Sequence, residues 1–184
     1  LLKWYDTNRR ILPWREEPTP YRVWVSEIML QQTRVEAVKP YFERFMKALP
    51  DIKSLSEVEE DVLLKLWEGL GYYNRARNLK AAAIQIMTEY GGEMPASAEE
   101  LLKLKGIGSY TAGAIASIAF GIPVPAVDGN VLRVIARLFM RTDDIAQPKV
   151  KKSLEEELLA AMPKRAGDFN QAMMEIGAMV CIPN

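Results

Sequence analysis

Histidine is absent from the 184 residues, and cysteine occurs once, at Cys181. Without imidazole, acid–base chemistry near neutral pH falls to carboxylates, tyrosine or lysine, and histidine-ligated metal sites are excluded. One thiol excludes an internal disulfide. No apolar run approaches the roughly 20 residues of a membrane span, and the opening Leu1-Leu2-Lys3-Trp4-Tyr5-Asp6 lacks a signal-peptide layout. The expectation is therefore an intracellular protein, cytoplasmic or nucleoid-associated, with no membrane partner. An excess of charge is missing too, since 24 Lys and Arg balance 24 Asp and Glu. A zero total neither announces nor excludes nucleic acid, because binding depends on where the charge sits. Sustained two-residue alternation flanked by hairpin turns is also lacking, so essentially no sheet is expected. What is present, 49% hydrophobic and 26% charged residues, describes a globular chain long enough for one domain or two closely packed lobes.

Helix punctuation is dense. Thr19-Pro20 supplies an N-cap followed by proline at the first helical position, opening a helix through about Gln32. Thr33 with Glu36, Ser56 with Glu59 and Ser97 with Glu100 each have the capping-box spacing. Residues 74–90 carry Ala76, Leu79, Ala83, Ile84 and Met87 as an apolar stripe closed by Gly91-Gly92. Residues 109–120 are small and apolar nearly all round, which reads as a buried helix ended by Gly121. Asp128 is placed to cap a helix to about Met140, Pro148 to open one at 148–161, and Asp168 to cap 169–180. Ile122-Pro123-Val124-Pro125 is a stiff connector between helical parts. The fold class is all-α.

Three stretches carry chemistry. Leu104-Lys105-Gly106-Ile107-Gly108-Ser109-Tyr110-Thr111-Ala112 sets two glycines in a tight turn before a buried helix. Backbone amides and the positive end of the helix dipole there favour a phosphate, and glycine lets a DNA backbone approach. An ordinary helix–helix turn is the plain alternative for a bare Gly-x-Gly. Val127-Asp128-Gly129-Asn130-Val131 follows some twenty residues later; an aspartate at a helix mouth is most often a cap. In Ser26-Glu27-Ile28-Met29-Leu30-Gln31-Gln32-Thr33, Glu27 and Gln31 share a helix face. A glutamate among apolar neighbours has its pKa raised by desolvation and becomes a usable acid, whereas a solvated one does not.

The glycine turn resembles the hairpin of helix-hairpin-helix DNA-binding proteins. Together with Trp14-Arg15, the stretch from Pro20 to Thr33, that from Gly69 to Leu79, Val127 to Val131 and Asn170 to Glu175, the chain resembles the MutY family of adenine-specific mismatch glycosylases. The similarity covers essentially the whole chain. It implies a two-lobed helix-hairpin-helix glycosylase fold with the active site in the cleft. One lobe, 20–127, is a six-helix barrel-like unit containing the hairpin at about 98–120; the other joins 1–19 to 128–184. It further implies that Glu27 is the general acid that protonates adenine and that Asp128 holds the sugar cation, by charge or a transient bond. Tyr110 and Asn130 orient these groups, while Arg15, Trp14 and Gln171 line the pocket for a flipped adenine. Gln31 and Tyr72 enter the duplex, and Lys105, Gly106, Gly108, Arg75 and Arg77 contact DNA. Lys80, Lys103, Arg133 and Arg137 extend the basic set.

Tyr110 stands where endonuclease III-like relatives carry the lysine that forms a Schiff base. A phenol forms no imine, so the resemblance predicts a monofunctional enzyme with little or no lyase activity. The partner is double-stranded DNA with adenine opposite 8-oxoguanine or guanine, and the protein acts as a monomer. Family members usually hold a [4Fe–4S] cluster on four cysteines, of which Cys181 matches the first. No second cysteine follows before Asn184, so these residues alone cannot form the cluster, and a truncated chain is the favoured explanation. Two alternatives stay open: a thymine or uracil glycosylase acting opposite guanine, and a non-catalytic helix-hairpin-helix binding module.

Overall fold

The computed structural model describes residues 1–145 and 147–183. Among the described residues there are twelve α-helices and no strand, as the absence of alternation predicts. They are α1 (Leu2–Asn8), α2 (Pro13–Glu16), α3 (Pro20–Leu30), α4 (Val35–Ala48), α5 (Ile52–Glu57) and α6 (Glu60–Trp67). There follow α7 (Asn74–Glu89), α8 (Ala98–Leu101), α9 (Ser109–Phe120), α10 (Gly129–Leu138), α11 (Pro148–Ala160) and α12 (Ala166–Met179). No helix among the described residues is long and apolar enough to cross a membrane.

Several expected start and stop signals act as read. Thr19 caps α3 by accepting from the Arg22 amide, Ser97 caps α8, Asp128 caps α10, and Pro148 opens α11. Gly121, at φ 68°, ends α9. Others do not. The chain leaves α3 at Leu30, and α4 starts only at Val35 with Arg34 as its uncapped N-cap; Glu36 turns to Lys39 instead of closing a box with Thr33. Glu59 becomes the N-cap of α6, and Ser56 falls in the last turn of a helix not anticipated, α5. It is capped by a true box of Asp51 and Ser54, and the Ser56 hydroxyl donates to the Lys53 carbonyl. Asp168 lies inside the first turn of α12, paired with Arg165. Ile84 is exposed; the buried stripe of α7 runs through Ala76, Leu79, Ala82, Ala83 and Ile86. In each case the polar pattern satisfies a cap only where the backbone leaves helical dihedrals, and packing decides where that happens.

Apolar side chains gather in two clusters. The larger joins α2 to α9, with Trp24, Met29, Phe42, Phe45, Leu63, Trp67, Ile86 and Ile115 at its centre. Leu12 and Trp14 belong to it, although the sequence groups residues 1–19 with the C-terminal part. The smaller cluster holds Val127, Val131, Val134, Ile135, Leu154 and Met173 from the α10 to α12 region. Helix α9 is the shared spine, packed on α3, α8 and α12. Its residues Thr111 to Ser117 are all buried, so it is apolar all round, as expected of a helix without a solvent face.

The proline-rich connector after α9 is held against that spine. Asn170, buried on α12, accepts from the Ala126 amide at 3.1 Å and donates to the Ser117 hydroxyl and the Val124 carbonyl. Gly113 makes room for it: a Cβ there would lie 2.2 Å from the Pro125 carbonyl oxygen. Clamped in this way, the connector delivers Asp128 to the start of α10.

Candidate active site

Helix α3 is buried on every residue from Tyr21 to Met29 except Arg22, and Glu27 sits within that run at 6% exposure. A carboxyl so placed loses water, and burial pushes its pKa up to about 7. The Tyr110 hydroxyl donates to Glu27 Oε2 at 2.5 Å and opposes the shift, as does the charge of Arg15, while Asp128 adds to it. Tyr110 itself is held well above the usual phenol range, first by burial and then by Glu27, so it stays a donor. With Oε2 accepting from Tyr110, Oε1 is the oxygen left to carry a proton.

Asp128 is built oppositely. It is half-buried at the mouth of α10, where Oδ1 accepts from the Val131 amide and Oδ2 from Asn130 Nδ2, both at 2.8 Å. Both bonds come from N–H donors and fix the carboxyl at the positive end of the α10 dipole. Asn130 is fixed in turn by Arg133, which donates to its Oδ1. The close approach of α12 is permitted by Gly177, where a Cβ would lie 2.5 Å from the Asn130 Cβ.

Both carboxylates face one cavity of about 590 Å³. Its wall also contains Tyr110, Asn130, Trp14, Arg15, Gln171 and Gln31, so the residues assigned to acid, cation and base pocket converge. The volume suits a nucleobase with its sugar. Trp14 is nearly buried and packs edge-on to Phe42, giving an apolar floor. A second cavity, about 500 Å³, adjoins it through Arg10, Arg15 and Gln171 but contains neither Glu27 nor Asp128.

Sequence reasoning missed a third acid. Glu175, 1% exposed, is ion-paired with Arg10 and Arg15, the latter at 3.0 Å. Burial alone would raise its pKa, yet the Arg10 hydrogen bonds and the Arg15 charge together lower it. This cluster pins the segment before α2 to α12 and aims Arg15 into the cavity. Glu175 lies within a stretch that carried the family resemblance, but nothing in the local pattern connects it to Arg10, 165 residues away.

Apart from Gln31, which lines the cavity, the expected DNA-contacting residues lie outside it. Gly106 takes φ 78° in the hairpin, a Cβ there would crowd Asn78, and Lys105 beside it is exposed. No side chain caps the first turn of α9, leaving its amides open beside Gly108. Tyr72 is 65% exposed, at φ 47°. The basic set departs from expectation. Arg77 pairs with Glu60, Lys103 with Glu100, Arg133 bonds carbonyl groups of α12 and beyond, and Arg75 turns inward to backbone carbonyls. Arg77 and Arg133 find partners on neighbouring helices, which sequence spacing does not reveal, whereas Lys103 and Glu100 are only three residues apart. Cys181 Sγ accepts from Arg137 at 3.2 Å. Among the described residues no group of three or more His, Cys, Asp or Glu is placed for a metal, so the residues present do not fit a four-thiolate cluster.

The HhH-GPD superfamily base excision DNA repair protein family matches residues 25–159. The chain is 46% identical to an adenine DNA glycosylase of Mus musculus and 45% to one of Homo sapiens, in each case over 100% of its length. A Buchnera aphidicola adenine DNA glycosylase is 44% identical over 99% of it. The chain spans 38%, 35% and 53% of those relatives. Among solved structures, a thermostable thymine-DNA glycosylase matches with a TM-score of 0.90 and 30% identity, over 100% of this chain and 85% of that one. A trapped endonuclease III–DNA covalent intermediate matches with a TM-score of 0.82 and 26% identity, over 99% and 83%.

Proposed function

The chain belongs to the HhH-GPD superfamily of base excision DNA repair proteins, and from that premise we propose that it hydrolyses the N-glycosidic bond of adenine mispaired with 8-oxoguanine or guanine. The observation that carries this reading is the buried Glu27 carboxyl, brought to about 7 in the same cavity as Asp128. Adenine is a poor leaving group as an anion and a good one when protonated. Glu27 gives its proton to a ring nitrogen, and the bond to the sugar breaks with both electrons going to the departing base. Asp128 stabilises the cation that forms on the sugar, in an environment of low dielectric. Water adds to that carbon, and its released proton returns to Glu27, which restores the acid. Arg15 and Gln171 present donors and acceptors to the base edge, with Trp14 beneath.

Two further features support the reading. The uncapped start of α9 beside Gly106 and Gly108 offers amides to a phosphate of duplex DNA. Tyr110 occupies the position of the Schiff-base lysine of lyase relatives, which favours a monofunctional enzyme that leaves the abasic strand intact. A second reading, thymine opposite guanine, draws on the name of the structure with a TM-score of 0.90. Thymine offers no ring nitrogen comparable to that of adenine for Glu27 to protonate. Single-turnover assays on duplexes with A opposite 8-oxoguanine, A opposite G and T opposite G, each with and without alkali, test the proposal. Cleavage of the adenine duplexes only after alkali is expected. Excision of thymine alone, or no excision with binding intact, would overturn it.

A further inference from the structure

We propose that Arg75 is a positioning residue that ties the turn after α3 and the turn before α7 into one rigid unit, and that it makes no contact with DNA phosphate. The inference rests on the proposed glycosylase activity, with Gln31 and Tyr72, one on each turn, taken as the side chains that enter the duplex.

Arg75 Nη1 lies within 3.1 Å of the carbonyl oxygens of Ile28, Met29 and Gln31, the last turn of α3. Those are the carbonyls a helix end leaves without partners, where the dipole is negative. Nη2 donates to the carbonyls of Leu70 and Gly71 at 3.0 and 3.3 Å, and reaches Thr33 Oγ1 at 3.5 Å. One planar guanidinium therefore closes the end of α3 and the Leu70–Tyr72 turn together. Its faces are occupied as well, with its centre 5.5 Å from the rings of both Trp67 and Tyr72. Trp67 Nε1 adds a bond to the Gly71 carbonyl.

The two turns share another feature. Gln32 and Tyr72, neither of them glycine, have φ of 57° and 47°. Left-handed backbone at such residues costs of order 1 kcal/mol or more and persists where surrounding bonds enforce it. Arg75 bonds the residues beside both. With both Nη groups directed at carbonyls on two turns and Nε buried, Arg75 has little capacity left for a phosphate. Lysine, a point donor, cannot reproduce this planar fork.

The two roles separate in salt. If Arg75 neutralised a phosphate, Arg75→Gln would lower the slope of log affinity against log salt by about 0.9. We expect an unchanged slope on a duplex carrying an uncleavable 2′-fluoro-adenosine opposite 8-oxoguanine, and single-turnover excision from the cleavable adenosine duplex at saturating DNA reduced about a hundredfold through misplacement of Gln31 and Tyr72. Arg75→Lys keeps the charge, so a phosphate contact predicts near-normal excision and a strut predicts loss; helical circular dichroism reports folding of both variants. A third arm leaves Arg75 intact: the effects of Gln31→Ala and Tyr72→Ala on affinity for the same duplex should be non-additive. A reduced salt slope, normal excision by Arg75→Lys, or additive Gln31 and Tyr72 effects would overturn the proposal. Failure of the unaltered protein to excise adenine, with the salt slope still measurable, would count against the functional reading instead.

Discussion

Glu27 lies inside a buried helix, surrounded by apolar side chains and one phenol, whereas Asp128 stands half exposed at a helix mouth and accepts two hydrogen bonds. The same functional group is thus given two surroundings within one cavity. On the α3 side, desolvation penalises the charge of Glu27; on the α10 side, two N–H donors at a helix N-terminus hold Asp128. Glu175 shows that burial alone does not decide the matter. It too is out of contact with solvent, yet its pKa is lowered, because two guanidinium groups meet it. An acid and an anion are obtained from two carboxyls by what each is given as a partner.

The comparison can be broken most severely at the acid. Glu27→Gln keeps the acceptor for Tyr110 and removes the proton donor, so single-turnover excision should fall by about 10⁴-fold, with DNA binding intact in a gel-shift assay. Next in size, replacing both Arg10 and Arg15 by methionine strands Glu175 without cations. We expect a loss of about 3–5 kcal/mol in urea unfolding at pH 7. Because the pKa of Glu175 is lowered in the fold, that stabilisation is present above the ordinary carboxylate range and lost as pH falls below it. Asp128→Asn should lower excision by about 10²- to 10³-fold while leaving Glu27 titratable. The smallest effect sharpens the contrast through stability. The pKa of Glu27 is raised from 4.5 to about 7, so the unfolded chain ionises first and burial costs stability as pH rises through that window. Glu27→Gln should then be more stable than the unaltered protein by about 3 kcal/mol at pH 8, with the advantage shrinking as pH falls from 7 to 4.5 and gone below that. An advantage independent of pH would show that Glu27 is not held protonated by burial.

Much of this was legible in the chain. Thr19 before Pro20, Asp128 before Gly129 and the apolar run of 109–120 each specify an element through local backbone chemistry, and each forms. The convergence of Glu27, Tyr110, Asp128 and Asn130 followed from family resemblance, while the burial that gives Glu27 its acidity is a property of packing. The misreadings share a cause. Thr33, Ser56 and Asp168 have capping residues at the right spacing, but tertiary contacts set the helix starts elsewhere. Arg75 and Arg77 read as surface cations because their partners, carbonyls of a distant turn and a glutamate on another helix, are invisible to spacing. The short α1 and α2 carry too few residues to show a period, and the Arg10–Glu175 pair joins opposite ends of the sequence.

The chemistry proposed for the cavity depends on the protonation of one buried carboxyl. A ¹³C NMR titration of the side-chain carboxyls, with the Glu27 resonance identified by its loss in Glu27→Gln, reads this directly in the absence of DNA. A midpoint near 7 is predicted. A midpoint near 4.5, the value of a solvated glutamate, would leave the cavity without its acid and contradict the account.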